Sequence, residues 1–449
     1  MLMDYRRKFC LAPKALVKSV HNTTGTKKIN SRFALKALSL FLFTSLIVHS
    51  ETRATYAANP KHLEQLRTTN ACPGCDLTDA PLEAINLHSS NLRGANLDGA
   101  QLRGANLTEA NLHAAQLRGV QLGGADLRKA VLREAKLGSR QQNNQEVVTN
   151  LQEAKLQGAD LSAADLTKAQ LSRANLESAK LNYATLAAAN LEGANLIQSN
   201  LGAANLTGAN LKSAQLKMAT ITGANLTGVK LNGANLDNAN GDGVNLSGVD
   251  LTGADLSQTS LTRAVMKAAK LNNATLLYAN LTGADLSGSD FRNAILKGAG
   301  LNRANLSGAN FEGADLRTAK LASANLTQAK LTQAKLSSAY LHGANLTGAN
   351  LDGVDLRQAL LRTANLTNAS LIGATLESAN LIETQLNGAN LTYTNLRQCD
   401  LRGANLTGAN LSYANLSQAD LRLASLVDVN LKEANLDDAK LAGAIGLSQ

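Results

Sequence analysis

The chain has almost no aromatic residues: Trp is absent, and Phe, Tyr and Trp together make up 3% of its 449 residues. Proline is equally scarce, with four residues. Aromatic side chains supply much of the buried area in compact enzymes, so a core here must be built from small and medium aliphatic residues. At 44% hydrophobic and only 17% charged, the chain is too apolar to be disordered. We therefore expect an ordered protein that does not have a common compact enzyme fold.

The body of the chain also has no excess of charge. The formal net charge is +10, but residues 1–57 hold 10 Lys and Arg against 2 Asp and Glu, whereas residues 58–449 hold 34 against 32. A groove that tracks nucleic acid needs clustered Lys and Arg. A protein that mimics nucleic acid needs an acidic excess instead. The charge distribution therefore argues against a nucleic-acid partner.

The first 57 residues have the features of an export signal. A basic stretch up to Lys36 precedes an apolar run from Ala37 to Val48, and small residues then lead to Ala57. Twelve apolar residues are too few to span a bilayer, which needs about 20, and are typical of a signal peptide. We predict a cleaved signal and export. The alternative is an uncleaved leader, which is the only membrane attachment we expect.

A repeat of five residues dominates the rest of the sequence. A central residue recurs every five positions from Leu77 to Leu137 and from Leu151 to Leu441, and 67 of these 72 positions are Leu. The residue two before it is small, and the residue one before it is mostly Asn or Asp. A period of five fits neither a helix nor a plain strand, but it can form one side of a square coil. Four repeats then make a coil of 20 residues, which predicts about 18 coils stacked about 4.8 Å apart.

Runs such as Ala204 to Gly208 and Ala344 to Gly348, both Ala-Asn-Leu-Thr-Gly, resemble the A(D/N)LXX consensus of the pentapeptide repeat proteins. The resemblance covers about residues 75–445. It implies an all-β fold, a right-handed quadrilateral parallel β-helix (solenoid). Some members of this family resemble DNA and protect topoisomerases, while many others have no assigned role, so the fold carries over and the function does not.

Two segments depart from the repeat. Asn59-Pro60 is a helix start signal, which predicts a short N-terminal helix that caps the first coil and shields its edge. Nine extra residues between Leu137 and Leu151 predict a corner loop, either a tolerated insertion or a recognition loop. The expected organisation is a signal-peptide-like leader (1–57), a capping helix with a Cys-Pro-Gly-Cys junction (58–75), a first β-helix block (76–139), the loop insertion (140–148) and a second β-helix block (149–445).

Cys72 and Cys75 stand between the predicted cap and the first coil. A redox pair would need a βαβ context in which the first Cys opens a helix, and none is visible. Export to an oxidising compartment favours a structural disulfide that clamps the cap, with metal binding and a redox role as alternatives. The Cys-Pro-Gly-Cys-Asp-Leu junction resembles exported cyanobacterial members of the family, which points to the periplasm or the thylakoid lumen. Cys399 falls at a small core position and is predicted to be a buried thiol.

One side of the predicted coil carries a column of hydroxyl groups beside a column that is mostly Gly. We take this flat side as the candidate interaction face. It consists of Thr207, Thr227, Ser247, Ser287, Ser307, Thr327, Thr347, Thr367 and Thr407. Such a ladder suits packing against a second rod, a polysaccharide or an ordered water lattice such as ice. The alternative is that Thr-Gly is simply the commonest filler of this repeat.

Single positions along the repeat carry further expectations. Gly241 replaces a central Leu, which predicts a gap in the core and a bend or soft point. Phe291 and Phe311 lie 20 residues apart and should stack in the core. Tyr393 and Tyr413 have the same spacing and should stack on the outside.

No catalytic grouping is visible in the sequence, and the four histidines after residue 57 are scattered without metal-ligand spacing. We therefore expect a non-enzymatic exported rod, without a cofactor, that has a structural or protein-interaction role and a protein partner that the sequence does not identify. A homodimer through the end of the β-helix is a further option. Two alternative functions remain. One is a topoisomerase regulator that mimics nucleic acid, and the other is binding of a ligand or ice through the flat Thr/Ser-Gly face.

Overall fold

The computed structural model describes residues 58–446, so the predicted leader lies outside the described residues. Three regular elements stand out, namely helix α1 (Pro60–Thr69) and strands β1 (Arg140–Gln142) and β2 (Gln145–Val147). The rest of the fold is built from parallel β-bridges between successive coils. All described residues belong to one compact unit.

Successive coils pair through residues that lie 20 positions apart. Asn205 bridges Asn225, which in turn bridges Asn245, and four such columns run along the described chain at five-residue intervals. At the insertion the spacing becomes 29, as between Gln121 and Asn150, and the period of 20 resumes at once. The nine inserted residues therefore protrude from the coil, and the pairing register between successive coils is unchanged. The stacked parallel coils confirm the predicted β-helix.

A turn at each corner explains the five-residue period. In one repeat the N–H of Ala209 donates to the carbonyl oxygen of Leu206 at 2.9 Å, which closes a β-turn. Gly208, inside this turn, has a φ of 67°, a region that suits glycine. The Oδ1 atom of Asn205 accepts the N–H of Thr207 at 3.1 Å. This Asx turn explains why Asn or Asp so often precedes the central Leu.

The core is a continuous stack of central and small residues. From Leu77 to Leu426 these positions are at most 3% exposed, except at Ile85, which is half-buried. Burial of each leucine contributes about 1.5–3 kcal/mol relative to full exposure. The rings of Phe291 and Phe311 are fully buried and stack with centroids 4.7 Å apart, which confirms the predicted core pair.

The prediction of a gap in the core at Gly241 is wrong. A Cβ atom at this glycine would lie 3.1 Å from methyl carbons of both Ile221 and Leu261. The two neighbouring side chains therefore move into the space that a central Leu would fill. Ile221 and Leu261 belong to the coils before and after Gly241, so the core remains closed along its axis.

The backbone ladder loosens beside this coil on the hydroxyl side. The bridge from Asn225 to Asn245 persists, but the N–H groups of Leu226, Gly228 and Asn245 fall outside good hydrogen-bond geometry, whereas those of Leu206, Gly208 and Asn225 donate to the adjacent coil at 2.9 Å. Three small positions here are held by the bulkier Val229, Val244 and Val249. The weakened hydrogen bonds support the predicted soft point.

The two ends of the described stack differ. Helix α1 covers the first coil. The Asn59 side chain caps the start of α1 by accepting the N–H of Lys61 at 3.0 Å, and Leu66, on the buried face of α1, is 1% exposed. In the last described coil, Leu431, Leu436 and Leu441 are only partly buried. An apolar coil face is therefore open at this end within the described residues.

Candidate functional site

The structure brings the nine predicted hydroxyl residues into one column. Each hydroxyl residue lies two positions after a bridge residue of one column, which runs from Asn205 through Asn225 and Asn245 to Asn405. Lys267 and Asn387 interrupt the series. The candidate interaction face is thus a real surface of the stack.

Most of these hydroxyl groups are already hydrogen-bonded within their own repeat. Thr207, Thr227, Ser247, Thr327, Thr347 and Thr407 each donate the Oγ–H to the side-chain oxygen of the Asn two residues earlier, at 2.6–2.8 Å. Their protons are therefore used to stiffen the turn, and they offer a ligand only acceptor lone pairs. Sequence reasoning missed this, although the Asn two positions before each hydroxyl is the signal for it.

The corner beside this column is bare over part of its length only. No atom lies within 4 Å of the place that a Cβ would take at Gly208, Gly248, Gly288 or Gly308. Further along, the side chains of Gln328 and Asn368 lie over Gly348 and Gly388. The corner from the coil of Gly208 to that of Gly308, a span of about 24 Å, is therefore flat except in one coil, where Ala268 takes the glycine position and Lys267 stands in the hydroxyl column.

Aspartate and arginine form ion pairs within single repeats elsewhere on the surface. In the sequence Asp-Leu-Arg the two side chains lie on one side of the coil, and Arg317 holds Asp315 through Nε–Oδ1 at 2.8 Å and Nη2–Oδ2 at 2.5 Å. Arg357 holds Asp355 in the same way, at 2.9 and 2.8 Å. The hydrogen bonds from these arginines lower the pKa values of both carboxyl groups. This motif was not singled out from the sequence, although the spacing of two residues signals it.

The insertion is a β-hairpin and not an irregular loop. Strands β1 and β2 pair antiparallel, with Gln142 opposite Gln145. The tip residues Asn143 and Asn144 both have positive φ, as in the turns that suit two-residue hairpins. At the neck, the Thr149 hydroxyl is buried and lies 2.9 Å from the carbonyl oxygens of Leu117 and Gly138. The hairpin therefore has a fixed base and an exposed polar tip.

The cysteine junction lies under helix α1. The structure places the sulfur atoms of Cys72 and Cys75 at disulfide distance, with Cα atoms 5.3 Å apart. The ring Nδ1 of His62, on the helix, accepts the N–H of Asp76 at 3.0 Å. Cap and first coil are thus joined by polar contacts next to the cysteine pair.

Tyr393 and Tyr413 stack on the outer surface, as predicted. Their ring centroids are 4.8 Å apart, and the residues are 61% and 37% exposed. Lys432 places its Nζ 5.9 Å from the centroid of Tyr413, so only the far face of Tyr393 is left open. Ile372, 40% exposed, belongs to the coil before Tyr393.

Residues 58–446 contain neither a candidate metal site nor a candidate membrane-spanning helix. No cluster of three or more His, Cys, Asp or Glu side chains in that range could hold a metal ion. No helix in the same part of the chain is both long enough and apolar enough to cross a membrane.

Stacked coils of five-residue sides define a solenoid repeat protein. The family model for pentapeptide repeats matches residues 74–138 and, in overlapping segments, residues 149–443. The chain belongs to the pentapeptide repeat family. No curated protein matches it.

Several solved structures are similar over part of the chain. HetL, a pentapeptide repeat protein involved in heterocyst differentiation regulation from Nostoc sp. strain PCC 7120, is 31% identical over 55% of this chain and 91% of its own, with a TM-score of 0.23. Rfr23 from Cyanothece 51142 is 26% identical over 40% of this chain and 98% of its own, with a TM-score of 0.23. A pentapeptide repeat protein from the thylakoid lumen of Arabidopsis thaliana is 27% identical over 23% of this chain and 66% of its own, with a TM-score of 0.14. With TM-scores this low, the assignment rests on the family match.

Proposed function

We propose that this protein is a non-enzymatic rod, exported to a periplasm or thylakoid lumen, that binds a protein partner along its flat hydroxyl side. In this proposal the fold is a right-handed quadrilateral β-helix of about 18 coils. The observation that carries it is the corner from Gly208 to Gly308, where no neighbouring side chain covers the glycines and Lys267 is the one long side chain in the hydroxyl column. A flat surface made mostly of short side chains loses little side-chain entropy when a partner docks.

The first experiment is fractionation of the native cell with intact mass measurement. Export predicts a product that begins near Ala58 and is two mass units lighter than its reduced form, because Cys72 and Cys75 are oxidised. The disulfide would then clamp α1 onto the first coil. A full-length cytoplasmic product with free thiols would contradict export and favour the topoisomerase alternative.

The binding face can be tested with two matched triple variants. Lysine at Thr207, Thr227 and Ser247 introduces bulk and charge on the bare part of the face. Lysine at Thr327, Thr347 and Thr367 does the same where Gln328 and Asn368 already cover the corner. We expect only the first variant to lose a partner that chemical cross-linking detects on the wild type. Equal loss in both variants, or in neither, would contradict the flat face.

The two alternative functions make different predictions. Binding of ice or a polysaccharide through hydroxyl donors is not favoured, because six of the nine hydroxyl protons are bonded to Asn oxygens. A nucleic-acid mimic would change supercoiling by purified DNA gyrase at micromolar protein. We expect no effect in that assay and no thermal hysteresis in ice.

The open coil at the C-terminal end suits a second copy of the chain. Leu431, Leu436 and Leu441 are partly buried there, whereas their counterparts in preceding coils are fully buried. End-to-end contact would bury these leucines and pair the backbone edge that has no partner among the described residues. We expect light scattering to show a dimer that Leu436→Asp converts to a monomer. A wild type that stays monomeric at high concentration would contradict this part of the proposal.

A further inference from the structure

Two arginines flank a small residue on one side of the stack. The bridges from Asp315 to Lys335 and from Lys335 to Asp355 place Arg317, Ser337 and Arg357 on three successive coils. The two arginine levels are therefore about 9.6 Å apart, with only the Ser337 side chain between them. A surface depression of about 390 Å³ lies here, lined among others by Arg317, Gln333, Lys335, Ser337, Asp355 and Arg357.

Both arginines are fixed in place but keep donors free. Each uses Nε and Nη2 to hold the carboxylate of its own repeat. Among the described residues, the Nη1 groups of Arg317 and Arg357 have no acceptor. A guanidinium that is already oriented loses less entropy when it binds a further acceptor.

Two more donors at this depression are unused. Lys335 has no ion pair within 4 Å in the described part of the chain, and the Ser337 hydroxyl has no hydrogen-bond partner there. Three cations thus face two carboxylates, and both oxygens of Asp355 are already engaged by Arg357. The groups that remain free in this depression are therefore hydrogen-bond donors, and the local net charge is positive.

The same Asp-Leu-Arg motif occurs elsewhere without this arrangement. Arg402 and Arg422 lie on adjacent coils, each paired with its own aspartate, and no small residue separates them. Their guanidinium groups have the same chemistry but lie one coil apart, about 4.8 Å, instead of two. They are therefore a matched control for the pair at Ser337.

We propose that the depression over Ser337 binds a tetrahedral oxyanion, a phosphate or sulfate group, between Arg317 and Arg357. The Nη1 groups approach it from the two outer coils, and the Lys335 ammonium and the Ser337 hydroxyl donate from the middle coil. Guanidinium groups match the oxygens of phosphate and sulfate in geometry as well as charge. This site is separate from the flat hydroxyl face and does not depend on its function.

The test is titration of the full protein with inorganic phosphate and with inorganic sulfate at constant ionic strength, followed by calorimetry. We expect saturable binding of one ion per chain by the wild type. The double variant Arg317→Gln/Arg357→Gln should weaken binding at least tenfold. Ser337→Glu should do the same, since Glu377 occupies the equivalent position one coil beyond Arg357 and shows that a glutamate fits there.

The control variant Arg402→Gln/Arg422→Gln should bind within twofold of the wild type. Thermal unfolding of every variant checks that the stack remains folded. No saturation up to about 50 mM phosphate, where even a 10 mM site would be mostly filled, would overturn the proposal. So would an equal loss of binding in the control variant. Saturation by phosphate alone supports the site and restricts it to phosphate groups.

Discussion

The guanidinium of Arg140, in the hairpin, pairs with the carboxylate of Asp79, which lies 61 positions earlier in the chain. Between these two residues, the Nη1 of Arg140 also donates to the carbonyl oxygen of Asp98 at 3.2 Å. The side chain occupies the space in which Cβ atoms at Gly99 and Gly119 would stand. The two glycines therefore form a channel along which Arg140 reaches back across two coils. On the other flank, Glu146 accepts from Lys168 Nζ at 2.7 Å, so the hairpin is held from both sides.

We expect Arg140→Gln to release the hairpin without unfolding the stack. Glutamine is too short to reach Asp79, so one of the two anchors is lost. Backbone amides of residues 140–147 should then exchange with deuterium about tenfold faster, while the melting temperature stays nearly constant. Arg103→Gln removes an arginine that makes no ion pair in the described residues and should leave the exchange unchanged. Unaltered protection in Arg140→Gln would show that Lys168 alone fixes the hairpin.

The five-residue period was enough to predict the β-helix, because every side of a coil repeats the same turn around the same Leu. Stacked pairs such as Phe291 and Phe311 followed from the spacing of 20. The hairpin was not predicted, since its strands are too short and polar to show alternation, although Asn143-Asn144 is a turn signal. The hydroxyl bonds of the candidate face were missed for another reason. They depend on local side-chain geometry, which the column pattern does not represent.

Cys399 should be inert to alkylation in the folded protein. Its thiol is 1% exposed and donates to the carbonyl oxygen of Leu376 at 2.9 Å, and burial raises its pKa to about 12. At pH 8 we expect iodoacetamide to leave Cys399 unmodified in the native state and to modify it in denaturant, as read from peptide masses. Cys72 and Cys75 should resist in both states until a reductant is added. Labelling of Cys72 and Cys75 in denaturant without a reductant would contradict the disulfide.

Acid should weaken the Asp-Leu-Arg pairs in a defined direction. Hydrogen bonds from Arg317 and Arg357 lower the pKa values of Asp315 and Asp355 below 3.8 in the folded state. The folded state thus favours the ionised carboxylates, so their contribution to stability is present above about pH 4 and is lost as the pH falls through the folded pKa. The arginines are exposed and the aspartates half-buried, so Asp315→Asn/Asp355→Asn should lower the melting temperature at pH 7 by only about 1–2 °C.

The same double variant should melt like the wild type near pH 2, where the carboxyl groups are protonated in both proteins. Asp428→Asn, which removes an exposed carboxylate that forms no ion pair with any described residue, is the control and should have no effect at either pH. A difference at pH 2 as large as that at pH 7 would mean that the aspartates act through packing of their side chains and not through charge.

Gly241→Ala should destabilise the stack, even though alanine ordinarily stabilises a backbone that can accept it. The added methyl group would stand 3.1 Å from Ile221 on one coil and from Leu261 on the next. Both side chains would have to retreat, and overpacking of this kind costs about 1–3 kcal/mol. Denaturant unfolding measures the loss. Gly123→Ala is the matched control, because its nearest neighbour is 3.6 Å away, and its effect should stay within about 0.5 kcal/mol.

The position of Gly241 also determines where the stack should open first. The N–H groups of Leu226 and Asn245, whose ladder hydrogen bonds are weakened, lie close to the coil of Gly241, where Ile221 and Leu261 fill the core. Hydrogen exchange in the wild type should therefore be faster at these two amides than at Leu206 and Asn225, which donate at 2.9 Å. Gly241→Ala should widen that difference by pushing the coils further apart. If the variant were instead more stable and better protected, the methyl group would be filling a void, and the gap first expected from the sequence would be real.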